Sequence, residues 1–414
     1  MSFHIYAARA GFACLVAIVA AGEAQAQPPL TLPEALVRAT GDAPAMKAAD
    51  QARLSAEAGV RQANRMPNPS LDITAENLLG TGLYSGIDRA ETTFGLSQKL
   101  EWGKDQQART GLAASGVNVA RARGNVRRQD LMHEVALAYL AAQKAEADLE
   151  VALARVGVAN EIVATVRRRV EAARDPLMAG AKAQAVLAEA EIGAEAVRRT
   201  GEGAKARLAS FWGGDVAFAV EVASFVGLGP DEARNAASNP ELALVETETE
   251  RASAAIAVER ARSQQDPVVS AGFRYFHETD EAALVVGVSI PLAFWDSNDG
   301  AIAQAEAERS RLRFETEAVR RNLEREVNSA RSQMAIARAE VEAIGSRLLP
   351  AAEEALALAR QGYTAGGFSY LDVLDAQRLV VDAQLRRNSA LFSYHSAHVA
   401  LDRLTGAYAE GSAQ

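Results

Sequence analysis

Residues 266–295 read DPVVSAGFRYFHETDEAALVVGVSIPLAFW, and this stretch decides the fold. After the Asp266-Pro267 break, Val269, Ala271, Phe273 and Tyr275 alternate with Ser270, Gly272 and Arg274. Leu284, Val286, Val288 and Ile290 then alternate with Val285, Gly287 and Ser289. A period of two puts apolar side chains on one face of a strand and small or polar ones on the other. An earlier stretch has the same design. Asn68-Pro69 leads to Leu71, Ile73 and Ala75 alternating with Asp72, Thr74 and Glu76. A Gly-rich loop (Gly80, Gly82, Gly86) separates these from Thr92, Phe94 and Leu96, which alternate with Thr93, Gly95 and Ser97. Strands are expected at about 70–79, 91–100, 268–277 and 284–292. A tilted strand needs about 9–11 residues to cross a bilayer.

Each strand pair sits inside a larger unit that occurs twice. A helical segment comes first, then the Pro break, two strands and a Trp (Trp102, Trp295). A long Ala-rich helix, a turn, an Ala-Gln pair (Ala183-Gln184, Ala376-Gln377) and a second helix complete it. The units end at Leu208–Gly213 and Leu401–Gly406, and the Trp and Gly markers are each offset by 193 residues. The Pro pair is offset by 198, which fits a longer strand-to-strand loop in the first copy. The domains expected are a leader at 1–26, a first repeat at 27–213, a connector at 214–231, a second repeat at 232–406 and a tail at 407–414. The connector reads as short strands packing with both chain ends into a small belt.

Asp299–Gly362 contains no proline except Pro350, and at 1.5 Å per residue its roughly 60 residues give a helix of about 90 Å. Met334, Ala337, Val341, Ile344 and Leu348 step by three and four, the spacing of a coiled coil. Abundant Ala lets neighbouring helices approach closely. Leu131–Ala173 and Leu177–Phe211 repeat the arrangement. Four strands cannot close a barrel, and in lipid an unpaired sheet edge is forbidden. Single-chain barrels begin at about eight strands. If these strands cross a membrane, several chains must share one barrel.

Composition narrows the function. The 414 residues carry a formal charge of -9, which argues against a nucleic-acid partner. Arg9, the apolar run from Gly11 to Ala21 and the Ala24-Gln25-Ala26 signal read as an export leader cleaved before Gln27. The single cysteine, Cys14, lies within that leader, so disulfides are not expected. His133-Glu134 lacks the second His of a zinc-hydrolase motif, because position 137 is Leu. Phosphate-loop, paired-Cys and nucleophile-elbow motifs are missing, so neither an enzyme nor a cofactor is expected. A structural coiled-coil protein spacing two membranes would not need the four alternating strands, and the missing catalytic constellation argues against a periplasmic hydrolase with helical insertions.

In this order of elements the chain resembles the TolC-type outer-membrane efflux ducts over essentially its whole mature length. Pro67-Asn68-Pro69, Gln98-Lys99-Leu100-Glu101-Trp102-Gly103-Lys104 and the run from Tyr363 to Gln377 carry the likeness. The first two are most similar to the cobalt–zinc–cadmium (CzcC-like) branch. The resemblance implies a mainly α protein with a transmembrane β part. Three chains would share a twelve-stranded barrel in the outer membrane, continued by an α-helical barrel in the periplasm. A periplasmic adaptor and an inner-membrane pump of the RND type would be the partners. Divalent metal ions would be the cargo, with drugs or secreted protein as the alternative.

The resemblance also assigns a gate to Tyr363–Gln377. Asp372 and Asp375 match two inward aspartates, which in a trimer would form acidic rings attracting cations. Both also suit the first turn of a helix, where the dipole favours carboxylates. Gly366 and Gly367 would permit the sharp turn. Tyr363 matches a latch tyrosine. The family's latch arginine falls on Phe368 and its partner acid on Ala179, which implies apolar packing in place of a polar latch. Trp102 and Trp295 suit either an interfacial aromatic girdle or packing at the strand-to-helix joint. His395 and His398, at i and i+3, have metal-binding spacing, although no carboxylate or Cys completes a site nearby in sequence.

Overall fold

The computed structural model describes residues 28–102, 104–229 and 238–408. The leader, Gly103, the end of the connector and the last tail residues lie outside them. After helices α1 (Leu32–Asp42) and α2 (Pro44–Ala63) come strands β1 (Ser70–Glu76) and β2 (Glu91–Lys99). Helices α3 (Asp105–Glu171), α4 (Leu177–Ala209), the short α5 (Ala223–Val226) and α6 (Pro240–Arg262) follow. Strands β3 (Val268–Phe276) and β4 (Glu281–Ser289) lead into α7 (Asp299–Ala343), α8 (Leu349–Ala365) and α9 (Tyr370–Thr405).

The strands form one antiparallel sheet in the order β1-β2-β3-β4. The helices below repeat that order, since α2 packs on α3, α3 on α6 and α6 on α7. Each strand is thus the continuation of one helix. Further down, α4 packs on α3, and α9 packs on α3, α7 and α8. The contacts are built from small residues: Ala136, Ala138, Ala142, Ala145 and Ala147 on α3 are all buried.

Two strands differ clearly from expectation. β1 stops at Glu76 because Asn77 and Leu79 turn to φ 60° and 53°, ending the extended chain. β4 runs from Glu281 to Ser289 rather than from 284 to 292. The loop before it is only the four residues 277–280, turned by Asp280 at φ 57°. Its far end is set by Pro291, which has no N–H to offer a ladder.

The copy-two long helix also departs from its pattern. Residues Ile344–Leu348 form a π-turn between α7 and α8. Pro350, just beyond, cannot supply a helical N–H, and a widened turn accommodates that loss. Met334, Ala337, Val341 and Ile344 are buried as the spacing predicts, but Leu348 is 40% exposed. The wide turn rotates the stripe, and burial resumes at Ala352, Ala359 and Tyr363. The copy-one counterpart α3 is continuous over 67 residues.

Around mid-height the connector packs with Leu30, but as one isolated bridge and the short helix α5 rather than as the expected short strands. Leu30 makes a parallel bridge with Val220. Tyr139 donates its hydroxyl to the Leu30 carbonyl at 2.9 Å, and Gln143 donates to the Glu221 carbonyl at 2.6 Å. Tyr408, at the start of the tail, packs on the same cluster.

Candidate functional site

The sheet has two chemically distinct faces. Register pairs Leu71 with Leu96, Ile73 with Phe94, Phe94 with Phe273, and Phe273 with Leu284. These side chains and Val286 and Val288 share one face, largely uncovered, with Leu284 79% exposed. Phe94 and Phe273 stack at 5.4 Å. The other face carries Asp72, Thr74, Thr93, Gly95, Ser97, Ser270, Gly272 and Gly287, with Asp72 accepting from Ser97 at 2.6 Å. A Cβ on Gly272 would collide with the Phe94 carbonyl and the Gly95 Cα. Small residues on this face let the sheet curl toward it, with the bulky apolar side chains outward. An apolar convex face and a small, polar concave face match a slice of barrel wall with lipid outside and water within. The outer edges of β1 and β4 have no neighbouring strand among the described residues.

At the opposite end the α3–α4 and α8–α9 turns come together. Asp372 is held by a capping box: its Oδ2 accepts from the Ser369 N–H at 2.7 Å and from Ser369 Oγ at 2.8 Å. Those bonds, the side-chain one first, hold its carboxyl below the usual range. The helix-start role of Asp372 is therefore present, and the carboxylate is exposed together with that of Asp375 on one face of α9. Of the two glycines only Gly366 takes a left-handed φ, 84°, as C-cap of α8. Gly367 has ordinary backbone, and a Cβ there would make only an ordinary contact, 3.8 Å from the Gly362 carbonyl oxygen, so the turn does not require it. Phe368 lies over Gly362, where a Cβ would run into its ring.

Apolar replacement of the latch is not what the structure contains. Tyr363 Oη donates to Asp175 Oδ2 at 2.8 Å. Arg169 donates from Nε and Nη2 to both Asp175 oxygens, at 2.9 and 3.1 Å, and from Nη1 to the Tyr363 carbonyl at 3.1 Å. Its guanidinium lies 4.6 Å from the Tyr363 ring centroid. This polar contact uses Arg169 and Asp175 rather than positions 179 and 368. Arg169 ends α3 and Asp175 lies in the following turn, so the link joins the two copies within one chain. Arg169, chiefly by hydrogen bonding, holds the Asp175 carboxyl low, while burial and then the bond to Asp175 push Tyr363 up to about 12. Nothing in local sequence marked Arg169 or Asp175. The signal was positional: Asp175-Pro176 closes the first helix pair where Gly366–Ser369 closes the second.

Trp295 is 97% exposed and Trp102 68% exposed, with Trp102 donating Nε1–H to the Gln265 carbonyl at 3.3 Å. Packing at the joint therefore does not account for Trp295, and both rings lie just below the sheet. His395 and His398 do not form a metal site together. His395 Nε2 lies 2.9 Å from the Phe225 carbonyl, an acceptor, so that nitrogen carries the proton. His398 Nδ1 lies 3.3 Å from Asp402 Oδ2. Among the described residues no group of three or more His, Cys, Asp or Glu is placed to hold a metal ion. His395 instead fixes α5 to α9.

Comparison with known proteins agrees with this geometry. The chain is 28% identical over 388 residues to the cobalt-zinc-cadmium resistance protein CzcC of Cupriavidus metallidurans, covering 92% of this chain and 91% of that one. It is 28% identical over 322 residues to the nickel and cobalt resistance protein CnrC of the same organism, covering 75% and 76%. Its fold matches the solved channel CusC with a TM-score of 0.75 at 17% identity, over 90% of this chain and 91% of that one. The family model described as outer membrane efflux protein matches residues 35–214 and 233–407. The chain belongs to the outer membrane efflux protein family.

Proposed function

We propose that this chain is the passive exit duct of a tripartite efflux system and that its cargo is a divalent heavy-metal cation such as cobalt, zinc or cadmium. The observation that carries the reading is the open four-stranded sheet, apolar on one face and mostly small and polar on the other. Such a sheet is stable in lipid only when further copies pair its edges. Three copies give a twelve-stranded barrel, and the helices that continue the strands give a tunnel through the periplasm. A leader at 1–26 carries the chain out of the cytoplasm, and the apolar sheet face then suits the outer membrane. An adaptor and an RND pump in the inner membrane supply the energy, since a duct binds no fuel.

The tip is the gate in this reading. Asp372 and Asp375 are exposed on one helix face, and in a trimer they ring the narrow end with carboxylates. The Arg169–Asp175–Tyr363 link holds the two turns together when the gate is shut. Trp102 and Trp295 belong to the girdle at the inner boundary of the membrane. Metal as cargo rests on the likeness to CzcC and CnrC, whose names state resistance to cobalt, zinc, cadmium and nickel. Deleting the gene is expected to sensitise the host to zinc, cobalt or cadmium, read as the minimal inhibitory concentration. Sensitivity to organic drugs alone would replace metal by drugs as the cargo.

A further inference from the structure

The strand register brings one cation to the loop end of the sheet. Glu76 pairs with Glu91, Glu91 with Phe276, and Phe276 with Glu281, so these four form one rank across all strands. Parity puts them on the concave face of Gly95, Gly272 and Gly287. The next rank is Thr74, Thr93, Arg274 and Ala283. From it Arg274 donates Nε to Thr93 Oγ1 at 3.0 Å and Nη1 to Glu91 Oε2 at 2.9 Å, while Nη2 lies 3.0 Å from Glu76 Oε2. One guanidinium thus spans β1, β2 and β3. The only other cationic side chain at a concave-face position of the described strands is Lys99, at the opposite end, where it pairs with Asp266. Glu281 has no ion pair among the described residues.

We propose that Arg274 is a specificity-determining residue of the duct, setting both the net charge and the rigidity of its outer mouth. This rests on the duct reading above. Three carboxylates and one guanidinium leave two net negative charges per chain at this level; without Arg274 there would be three. Wall charge in a water-filled pore draws in cations and repels anions. A site that holds a cation must also release it, and a bare glutamate rank would retain divalent ions longest. Arg274 tempers that retention by occupying Glu76 and Glu91, leaving Glu281 as the mouth's unpaired charge. The face beneath is mostly Gly, Ser and Val, with one carboxylate, Asp72, which accepts from Ser97. Charge on the extracellular side is therefore densest in these two ranks.

The test is selectivity of the reconstituted full-length protein in planar bilayers. Potassium-over-chloride permeability is read from the reversal potential at about 0.1 M salt, where charges act over about 10 Å, and at about 1 M, where they act over about 3 Å. At low salt Arg274→Gln is expected to raise the permeability ratio about two-fold and to increase block by cobalt ions, whereas Glu281→Gln lowers the ratio by a similar factor. Both shifts should shrink at high salt. Conducting variants with wild-type selectivity at low salt would overturn the proposal. If Arg274→Gln does not assemble, Glu281→Gln, which loses no ion pair, decides alone. A wild-type protein that forms no conducting channel would instead overturn the duct reading, and this proposal with it.

Discussion

At the scale of single residues, the tip joins side chains that lie far apart in sequence. The family resemblance points to Tyr363, Asp372 and Asp375, because they sit in one contiguous run. It could not find Asp175, which lies 188 positions away in the other copy and meets Tyr363 only through the packing of α8 against the α3–α4 turn. A hydrogen bond is worth about 1 kcal/mol net, and more when one partner is charged. Tyr363→Phe combined with Asp175→Asn is therefore expected to loosen the closed tip and raise single-channel conductance several-fold in bilayers. Unchanged conductance would remove the latch role. The pH dependence follows from the lowered Asp175 pKa. Its contribution is complete above the ordinary carboxylate value of about 4 and is lost as pH falls through the lower folded value. Tyr363, raised to about 12, stays neutral across that window and keeps donating. Closure should thus persist from neutral pH to about pH 5 and fail only in stronger acid.

At the scale of elements, period-two spacing located the four strands and three-four spacing the buried stripe of α7, because burial on one face repeats with the geometry of the element itself. What those patterns could not register were local backbone events. The positive φ angles at Asn77 and Leu79 shortened β1, and the π-turn at Ile344–Leu348 rotated Leu348 out of its stripe. Gly272 shows the opposite case, a residue whose role is legible only once register is known. Opposite Gly95, it lets β2 and β3 approach on the concave side, where a Cβ would strike the Phe94 carbonyl. Gly272→Val is expected to destabilise the sheet by about 1–3 kcal/mol through overpacking. Ala271→Val, one position along on the convex face, should be tolerated. The measurement is the denaturation temperature of detergent-extracted protein, and equal values for the two variants would contradict the curvature argument.

At the scale of the whole molecule, sheet and helices impose the same requirement. The order β1-β2-β3-β4 is continued by α2, α3, α6 and α7, so an open edge of sheet stands directly above an open edge of helical wall. A partner that pairs with β4 must also pack on α7, and one that pairs with β1 must pack on α2. A further copy of the chain meets both demands at once, because it presents β1 above α2 to a neighbour's β4 above α7. Repetition of that head-to-tail contact closes a ring when the curvature of the sheet matches the copy number. The duplication was legible in sequence, and so was the need for neighbours. The number three was not, because it depends on how strongly Gly95, Gly272 and Gly287 let the sheet curl, and the family resemblance supplied it. Protein extracted from the outer-membrane fraction is expected to run as a trimer that resists SDS and dissociates only on heating, since every chain is held by strand ladders on both edges. Gly272→Val should lower that dissociation temperature, whereas Tyr363→Phe, far from the sheet, should leave it unchanged. A soluble periplasmic monomer would mean that the apolar face of Leu71, Phe273 and Leu284 is covered by something other than lipid.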